Sequence, residues 1–374
     1  MSQPVAIIPA AGLSSRMGEF KPLLPLGDGT VVSQCIGLFR SVGIEEIIVV
    51  TGKRCDEVAD VARCGGATPV HNPEFEQGMF SSVLTGVRAL PDGDASFCVL
   101  PVDIPLVRRE TVLRLMEDFK RESATVLYPR FFGERGHPPF ISRALVPDIL
   151  NHDGTGGLRS VLMQHEAGAR DLDVGDYGIT HDLDYPADYE LATSLFGREY
   201  PTPEECEQLL SMHAISDHIA GHCRAVSRVA VALCNALNAT KGLSQLDGKL
   251  VRSAALTHDI GKGNGHHEEI GGAILRAEGF PVVAEIVAAH FDVFLSPEDC
   301  ISEKEVVFLA DKLVRCHAPV LLEGRYMEKI EMYRSEPGAK EAILGRLHRA
   351  RLLMERFDRE TGMSAELLAQ EALS

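Results

Sequence analysis

Two groups of side chains in this sequence have the types and spacing to do chemistry. In the C-terminal half, His222, the doublet His258-Asp259, His267, His290 and Asp311 fall at or near the apolar faces of successive helical stretches, the doublet at the end of a helix that Gly261 is expected to terminate. One inward histidine is most often a hydrogen-bonded core residue. Six imidazoles and carboxylates on the buried faces of one bundle are hard to satisfy without a cation, because unpaired carboxylates are costly to bury. Mixed nitrogen and oxygen ligation suits a divalent transition metal such as Mn²⁺ or Fe²⁺, and the residue types do not choose among such ions.

The other group opens the chain. The run AIIPAAGLSSRMGEFKPLL completes an apolar strand, Val5 to Ala10, then breaks into the loop Gly12-Leu13-Ser14-Ser15, with Arg16 and Lys21 following. Such a loop turns backbone N–H groups toward an anion and two cations meet the remaining charge, so a nucleoside triphosphate is the natural ligand. The loop is neither G-x-x-x-x-G-K-[ST] nor G-x-G-x-x-G, and from the residues alone a plain turn reads equally well. Asp103 arrives just after FCVLPV, at the carboxyl end of a strand, where open α/β sheets gather their ligands. An Asp opening a loop or capping the next helix is the competing explanation.

The elements that must position these groups differ between the halves. Strand-like runs at Val5 to Ala10, Ile47 to Thr51, Ala67 to Val70, Phe97 to Val102 and Ala124 to Tyr128 alternate with helical stretches near 31–42, 55–63, 79–90 and 109–122. This alternation predicts an α/β fold with a doubly wound, mostly parallel sheet. Near 195–211 the strand pattern ends in GREYPTPEECEQ, and the rest reads as an all-α bundle with helices over 219–237, 248–258, 268–278, 282–290, 303–316 and 337–357. The expected organisation is a domain over 1–195, a linker over 196–211 and a second domain over 212–374.

Composition narrows the classes. A chain of 374 residues with 45% apolar side chains can bury two real cores, and a formal charge of −17 argues against nonspecific binding to nucleic acid or anionic lipid. Nine cysteines without a C-x-x-C pair fit reduced thiols, and hence the cytoplasm, better than a disulfide framework. No apolar run approaches the ~20 residues of a membrane helix, and the N-terminus reads as a core strand, not a secretory signal.

The segment PAAGLSSRMGEFKPLLPLG resembles the signature of the MobA-like nucleotidyltransferases, which include the molybdenum cofactor cytidylyltransferases and guanylyltransferases. The resemblance implies that Ala10, Ala11, Gly12 and Ser14 hold the nucleotide while Arg16 and Lys21 contact its phosphates. PVDIPLV is similar to the family's G-D-x-P segment, which makes Asp103 a Mg²⁺ ligand, with Val102 in place of the usual Gly. HDLDYPADY resembles a second family segment that supplies another carboxylate, Asp182 first and Asp184 as runner-up. GERGHPPF and HDGTGGLRSVL resemble the acceptor-side motifs of the cytidylyltransferase branch, so Gly136, His137, Pro138 and Arg159 become acceptor contacts, although His137 serves equally well as a loop histidine. Ala10-Ala11-Gly12 in place of A-G-G favours CTP, since added methyls would crowd a purine.

The run SAALTHDIGKGNGHHEEIGGAIL resembles the HD superfamily of metal-dependent phosphohydrolases, whose H…HD…D pattern falls on His222, His258, Asp259 and Asp311. Members with two metals carry further histidines where His267 and His290 stand, His266 being an alternative to His267. Lys262 resembles the lysine that meets substrate phosphate. The resemblances together imply a bifunctional protein: nucleotidyl transfer to a phosphorylated acceptor, molybdopterin in the first instance, and metal-dependent phosphoester hydrolysis. Two alternatives stand beside it, an acceptor that is a sugar, polyol or terpenoid phosphate, and an HD domain that senses nucleotides without turnover. The acidic surface would suit docking onto a molybdoenzyme.

Overall fold

The structure is a computed structural model that describes residues 3–14, 16–242, 245–294, 296 and 299–374. It divides into two compact units, Met1–Arg198 and Glu199–Ser374.

The first unit is built on a sheet that starts from the strand Val5–Pro9, every residue of which is buried. A strand covered on both faces by helices reads as an unbroken apolar run, which is why VAIIP lacks alternation. Val5–Pro9 pairs in parallel with Ile47–Thr51 on one side and Phe97–Val99 on the other. Across the sheet the order is Ala169–Asp173, Val126–Phe131, Phe140–Ile141, Phe97–Val99, Val5–Pro9, Ile47–Thr51 and Thr68–His71. Only Phe140–Ile141 and the small Glu134–Arg135 strand run antiparallel within it. Helices Val31–Ser41 and Arg109–Arg121 bury side chains in the core cluster on one face, and Met79–Arg88 in the cluster on the other. Gly86 allows the last of these to lie close, since a methyl there would collide with Ile7. Strand order reverses beside Val5–Pro9, so the loops after it and after Phe97–Val99 flank the switch point where such sheets bind ligands.

The second unit is helical, with Asp217–Ala239 as its central element. Val226, Val229, Ala230, Leu233 and Leu237 of that helix are fully or almost fully buried. Around it lie Gly248–Thr257, His267–Ala277, Pro281–Ala288, Glu303–Lys312, Leu322–Met332, Ala339–Thr361 and Ala365–Leu373.

Three expectations need correction. The stretch 196–211 is not a linker throughout, because Pro203–Met212 is a helix with Cys206, Leu209 and Leu210 buried. Thr202 caps it, accepting a hydrogen bond from the Glu205 N–H while the Glu205 carboxylate accepts from the Thr202 N–H. The helix expected over 303–316 stops at Lys312 and gives way to a two-stranded turn, Val314–Arg315 with Ala318–Pro319. The helix carrying His258 ends at Thr257, four residues before Gly261, so Gly261 does not terminate it. What Gly261 does is let the turn approach the next helix, where a Cβ would collide with the His267 carbonyl. Among the described residues, no helix is long and apolar enough to cross a membrane.

Candidate functional site

In the first unit, two backbone hydrogen bonds, Leu100 N–H to Ile7 O and Val102 N–H to Pro9 O, hold the segment leading to Asp103 beside the start of the Gly12 loop. A third, Leu183 N–H to Asp103 O at 2.9 Å, brings the 181–184 segment to the same end of the sheet. The charged groups meet there. Lys21 Nζ lies 2.9 Å from Asp184 Oδ1 and 3.6 Å from Asp103 Oδ2, and Arg16 lies 2.6 Å from Asp184 Oδ2. Ser14 has a left-handed backbone (φ 53°), and its hydroxyl accepts the Lys21 N–H, which ties the loop to the lysine's turn.

These contacts separate the carboxylates. Hydrogen bonding from Lys21, and the charges of Lys21 and Arg16, hold Asp184 below the usual carboxylate range. Burial pushes Asp103 up, with Lys21 opposing and Asp182 and Asp184 adding to the rise. Asp182 is exposed, and its charge is felt at Asp103 and His137. Of the two carboxylates weighed from sequence, the cations engage Asp184.

Ala10 and Ala11 are buried, and a methyl at Gly52 would lie 2.7 Å from the Ala11 Cβ. The Ala11 side chain is therefore covered by protein, so its methyl does not carry the argument about crowding a purine. Gly12 has open space around its Cα, and Ser15 lies outside the described residues. His137 donates its backbone N–H to Ile179 O, its Nδ1 lies 3.4 Å from Val99 O, and burial pushes the imidazole down. Gly136 is required there, because a Cβ would collide with the Ile179 carbonyl. The peptide between His137 and Pro138 is cis. Arg159 is exposed on the helix Gly157–Met163.

The second unit gathers His222, His258, Asp259, His267, His290 and Asp311 around one cavity of about 350 Å³, His258 lying in the wall behind it. The imidazoles follow one another edge to face: His222 to His258 at 5.3 Å, His258 to His290 at 5.1 Å and His290 to His267 at 5.2 Å between ring centres. Asp259 Oδ1 lies 3.3 Å from His267 Nε2 and 3.7 Å from His290 Nε2, while Asp311 Oδ1 lies 3.1 Å from His222 Nε2 and 3.7 Å from His258 Nε2. Two overlapping sets, His222-His258-Asp259 and Asp259-His267-His290, place one ligand atom per residue within 4.8 Å of one another. Asp259 belongs to both.

The backbone fixes which ring nitrogen faces the centre. His258 Nδ1 lies 2.8 Å from Ala255 O, His290 Nδ1 2.6 Å from Val287 O and His222 Nδ1 3.0 Å from Cys316 O. A carbonyl only accepts, so each Nδ1 carries the proton, and in a neutral ring Nε2 turns a lone pair toward the carboxylates. Burial holds His258 down at about 4, which keeps that ring neutral at neutral pH. Its Nε2 is buried without a hydrogen-bond partner. Burial alone would raise Asp259, but His258, His267, His290 and Lys262 together hold it well below the carboxylate range. The same holds for Asp311, where Lys312, Arg325, His222 and His258 outweigh burial. Lone pairs facing carboxylates around an orphaned nitrogen are the donor set of a divalent cation, so the residues present fit one.

Lys262 Nζ lies 3.2 Å from Asp259. His266 has a left-handed backbone and precedes the helix that begins at His267; of the two, His267 supplies the ring nitrogen near Asp259. Sequence reasoning missed Lys312, 2.6 Å from Asp311, and Arg325, whose NH2 lies 3.1 Å from Asp311 Oδ1 and whose NH1 donates to the Asp311 and Val314 carbonyls. The available signal was the i, i+4 pair Arg325 and Lys329 on one helix face.

One unit thus gathers a loop, two cations and three carboxylates at the switch point of a sheet, and the other a His/Asp donor set that fits a divalent cation. Comparison with known proteins gives each its family. Residues 6–169 match the family model of the MobA-like NTP transferase domain and residues 219–316 that of the HD domain. The molybdenum cofactor cytidylyltransferase of Escherichia coli (strain K12) is 29% identical over 191 residues, which span 50% of this chain and 95% of that protein. The purine catabolism protein PucB of Bacillus subtilis (strain 168) is 27% identical over 201 residues, 50% of this chain and 94% of PucB. Among solved structures, a nucleotidyl transferase from Methanothermobacter thermautotroptrophicus is 25% identical with a TM-score of 0.45, covering 52% of this chain and 97% of that one.

Proposed function

We propose that the chain is a bifunctional enzyme, a nucleotidyltransferase of the cytidylyltransferase kind joined to a metal-dependent phosphohydrolase, with one domain over 1–198 and the other over 199–374. For the transferase, the observation that carries the reading is Lys21 shared between Asp103 and Asp184 at the sheet's switch point. Lys21 and Arg16 would exchange Asp184 for the oxygens of a triphosphate, and Gly12 and Ser14 would present loop N–H groups to it. Asp103 and Asp182 would hold Mg²⁺, which when bound supplies charge neutralisation on the phosphates. An acceptor phosphate oxygen then bonds to the α-phosphorus as the bond to the β-phosphate oxygen breaks and pyrophosphate leaves. Lys21 and Arg16 position the chain of phosphates and stabilise charge on the departing oxygens. The similarity to the molybdenum cofactor cytidylyltransferase of Escherichia coli supports a cytidylyl donor; we take CTP as that donor and molybdopterin as the acceptor, which Gly136, His137, Pro138 and Arg159 would contact.

For the hydrolase, the carrying observation is the partnerless Nε2 of His258 among lone pairs and carboxylates. His222, His258, Asp259, His267, His290 and Asp311 would hold one or two ions such as Mn²⁺ or Fe²⁺. A bound ion of this kind supplies a water acidic enough to deprotonate near neutral pH. Lys262 stands at the centre to meet the substrate phosphate. Hydrolysis joins the water oxygen to phosphorus, breaks the ester P–O bond and sends a proton to the departing oxygen.

The test is pyrophosphate release with Mg²⁺, each ribonucleoside triphosphate in turn, and molybdopterin present or absent. The expected result is release that needs molybdopterin, prefers CTP and falls about 100-fold or more in Asp103→Ala. Release that ignores Asp103, or none with molybdopterin, would overturn the transferase reading or its acceptor. In parallel, phosphomonoester hydrolysis by the Mn²⁺-loaded protein should vanish in Asp259→Ala; wild-type rates in that variant would leave the second unit a sensor.

A further inference from the structure

Next to the His/Asp centre lies a second cavity of about 250 Å³ that shares Phe291, Lys312 and Lys329 with the first. Its remaining walls come from the helices Leu322–Met332 and Ala339–Thr361 and from the turn between them, beyond the residues that match the HD domain. The sharing of three side chains makes it an annexe of the centre.

The chemistry of the annexe is cationic and incompletely answered. Lys312, Lys329 and Arg346 line it, with Arg325 just across in the first cavity. Asp311 is already engaged by Lys312, Arg325 and His222. Among the described residues, Glu336 is the one carboxylate lining the annexe, and it is exposed. Arg346 lies over the Phe291 ring at 4.9 Å and Lys329 over the Tyr326 ring at 5.9 Å, contacts that orient the cations without cancelling their charge. Burial, and after it the neighbouring charges of Lys312 and Arg325, hold the Lys329 ammonium down at about 8.

An independent observation sits in the same wall. Tyr326 is 2% exposed, and its hydroxyl is buried with no hydrogen-bond partner. A buried hydroxyl normally finds one, because an unpaired donor inside protein keeps its full desolvation penalty. Here a donor and several cations line one space adjoining a phosphorus-handling centre.

We infer that this annexe is the subsite for a second phosphate: the substrate of the second unit carries two phosphate groups, one at the His/Asp centre and the other held by Lys329, Arg346 and the Tyr326 hydroxyl. The inference rests on the hydrolase reading for what happens to the first phosphate, but not for the binding of the second. Two sources share this chemistry, a diphosphate with adjacent phosphates and a bisphosphate with separated ones.

The experiment measures binding by calorimetry to the full-length chain loaded with Mn²⁺, using probes without a nucleobase: fructose 6-phosphate, fructose 1,6-bisphosphate and inorganic pyrophosphate. Hydrolysis of the same compounds is followed by phosphate release. The expected result is that a two-phosphate probe binds at least tenfold tighter than fructose 6-phosphate. Lys329→Met and Arg346→Met should each lower that preference at least fivefold, and Tyr326→Phe, which keeps the packing of the ring, about threefold. Preference for pyrophosphate or for the bisphosphate assigns adjacent or separated groups. Preference lost in the variants without hydrolysis of any probe would uphold the subsite and remove the hydrolase reading. Equal affinity for one and two phosphates, or a preference unchanged in all three variants, would overturn the inference.

Discussion

At the N-terminal site the charges already answer one another, Lys21 and Arg16 to Asp184 and Lys21 to Asp103. At the C-terminal centre they do so only in part: Lys262 answers Asp259, and Lys312 and Arg325 answer Asp311, but the buried His258 Nε2 has nothing to bond. The difference follows from position. Loops at the end of a sheet are partly hydrated, so long cationic side chains can rest on a carboxylate and move to a phosphate when a nucleotide arrives. Histidines fixed through Nδ1 to backbone carbonyls cannot turn away, and a cation is what would complete them. On the proposed reading the first site works by exchange of partners and the second by preorganisation.

That contrast can be attacked at three places. Lys21→Met removes the shared cation, and nucleotidyl transfer should fall about 100-fold, measured as pyrophosphate release. The variant should leave Mn²⁺ content unchanged, since the lysine belongs only to the exchanging site. Leu209→Ala probes the helix Pro203–Met212: a side chain buried at 0% exposure should cost about 2–4 kcal/mol in denaturant unfolding of the C-terminal unit, where a linker residue would cost almost nothing. Gly261→Ala should cost about 1–3 kcal/mol by forcing the turn away from the His267 carbonyl. Because that contact sets His267 against Asp259, Mn²⁺ affinity should weaken in the same variant, which titration would show.

How much could be read beforehand differs between the same two regions. The His/Asp set was legible because metal donors on helical apolar faces are rare enough to stand out, and the expected residues do converge. The alternating strands and helices of the first unit were legible from periodicity, but the two-residue strand Phe140–Ile141 carries no period to detect, and the polar ARDLD of the strand Ala169–Asp173 does not look like one. Pro201 and Pro203 disguised the helix that follows them, although proline in a first helical turn and the Thr202/Glu205 pair are start signals. The roles of Arg325 and Lys329 were hidden for a different reason. They reach the centre only because the helix before them stops at Lys312 and a tight strand pair turns the chain back, a tertiary event that local pattern does not report.

Of the two units, the C-terminal one is expected to retain a metal in the absence of nucleotide. Elemental analysis after Mn²⁺ or Fe²⁺ loading and exhaustive dialysis without nucleotide would compare wild type, Asp103→Ala and Asp259→Ala. The account predicts retained metal in wild type and Asp103→Ala, and loss in Asp259→Ala, the residue common to both ligand sets. Metal absent from the wild type, or held equally by Asp259→Ala, would contradict it.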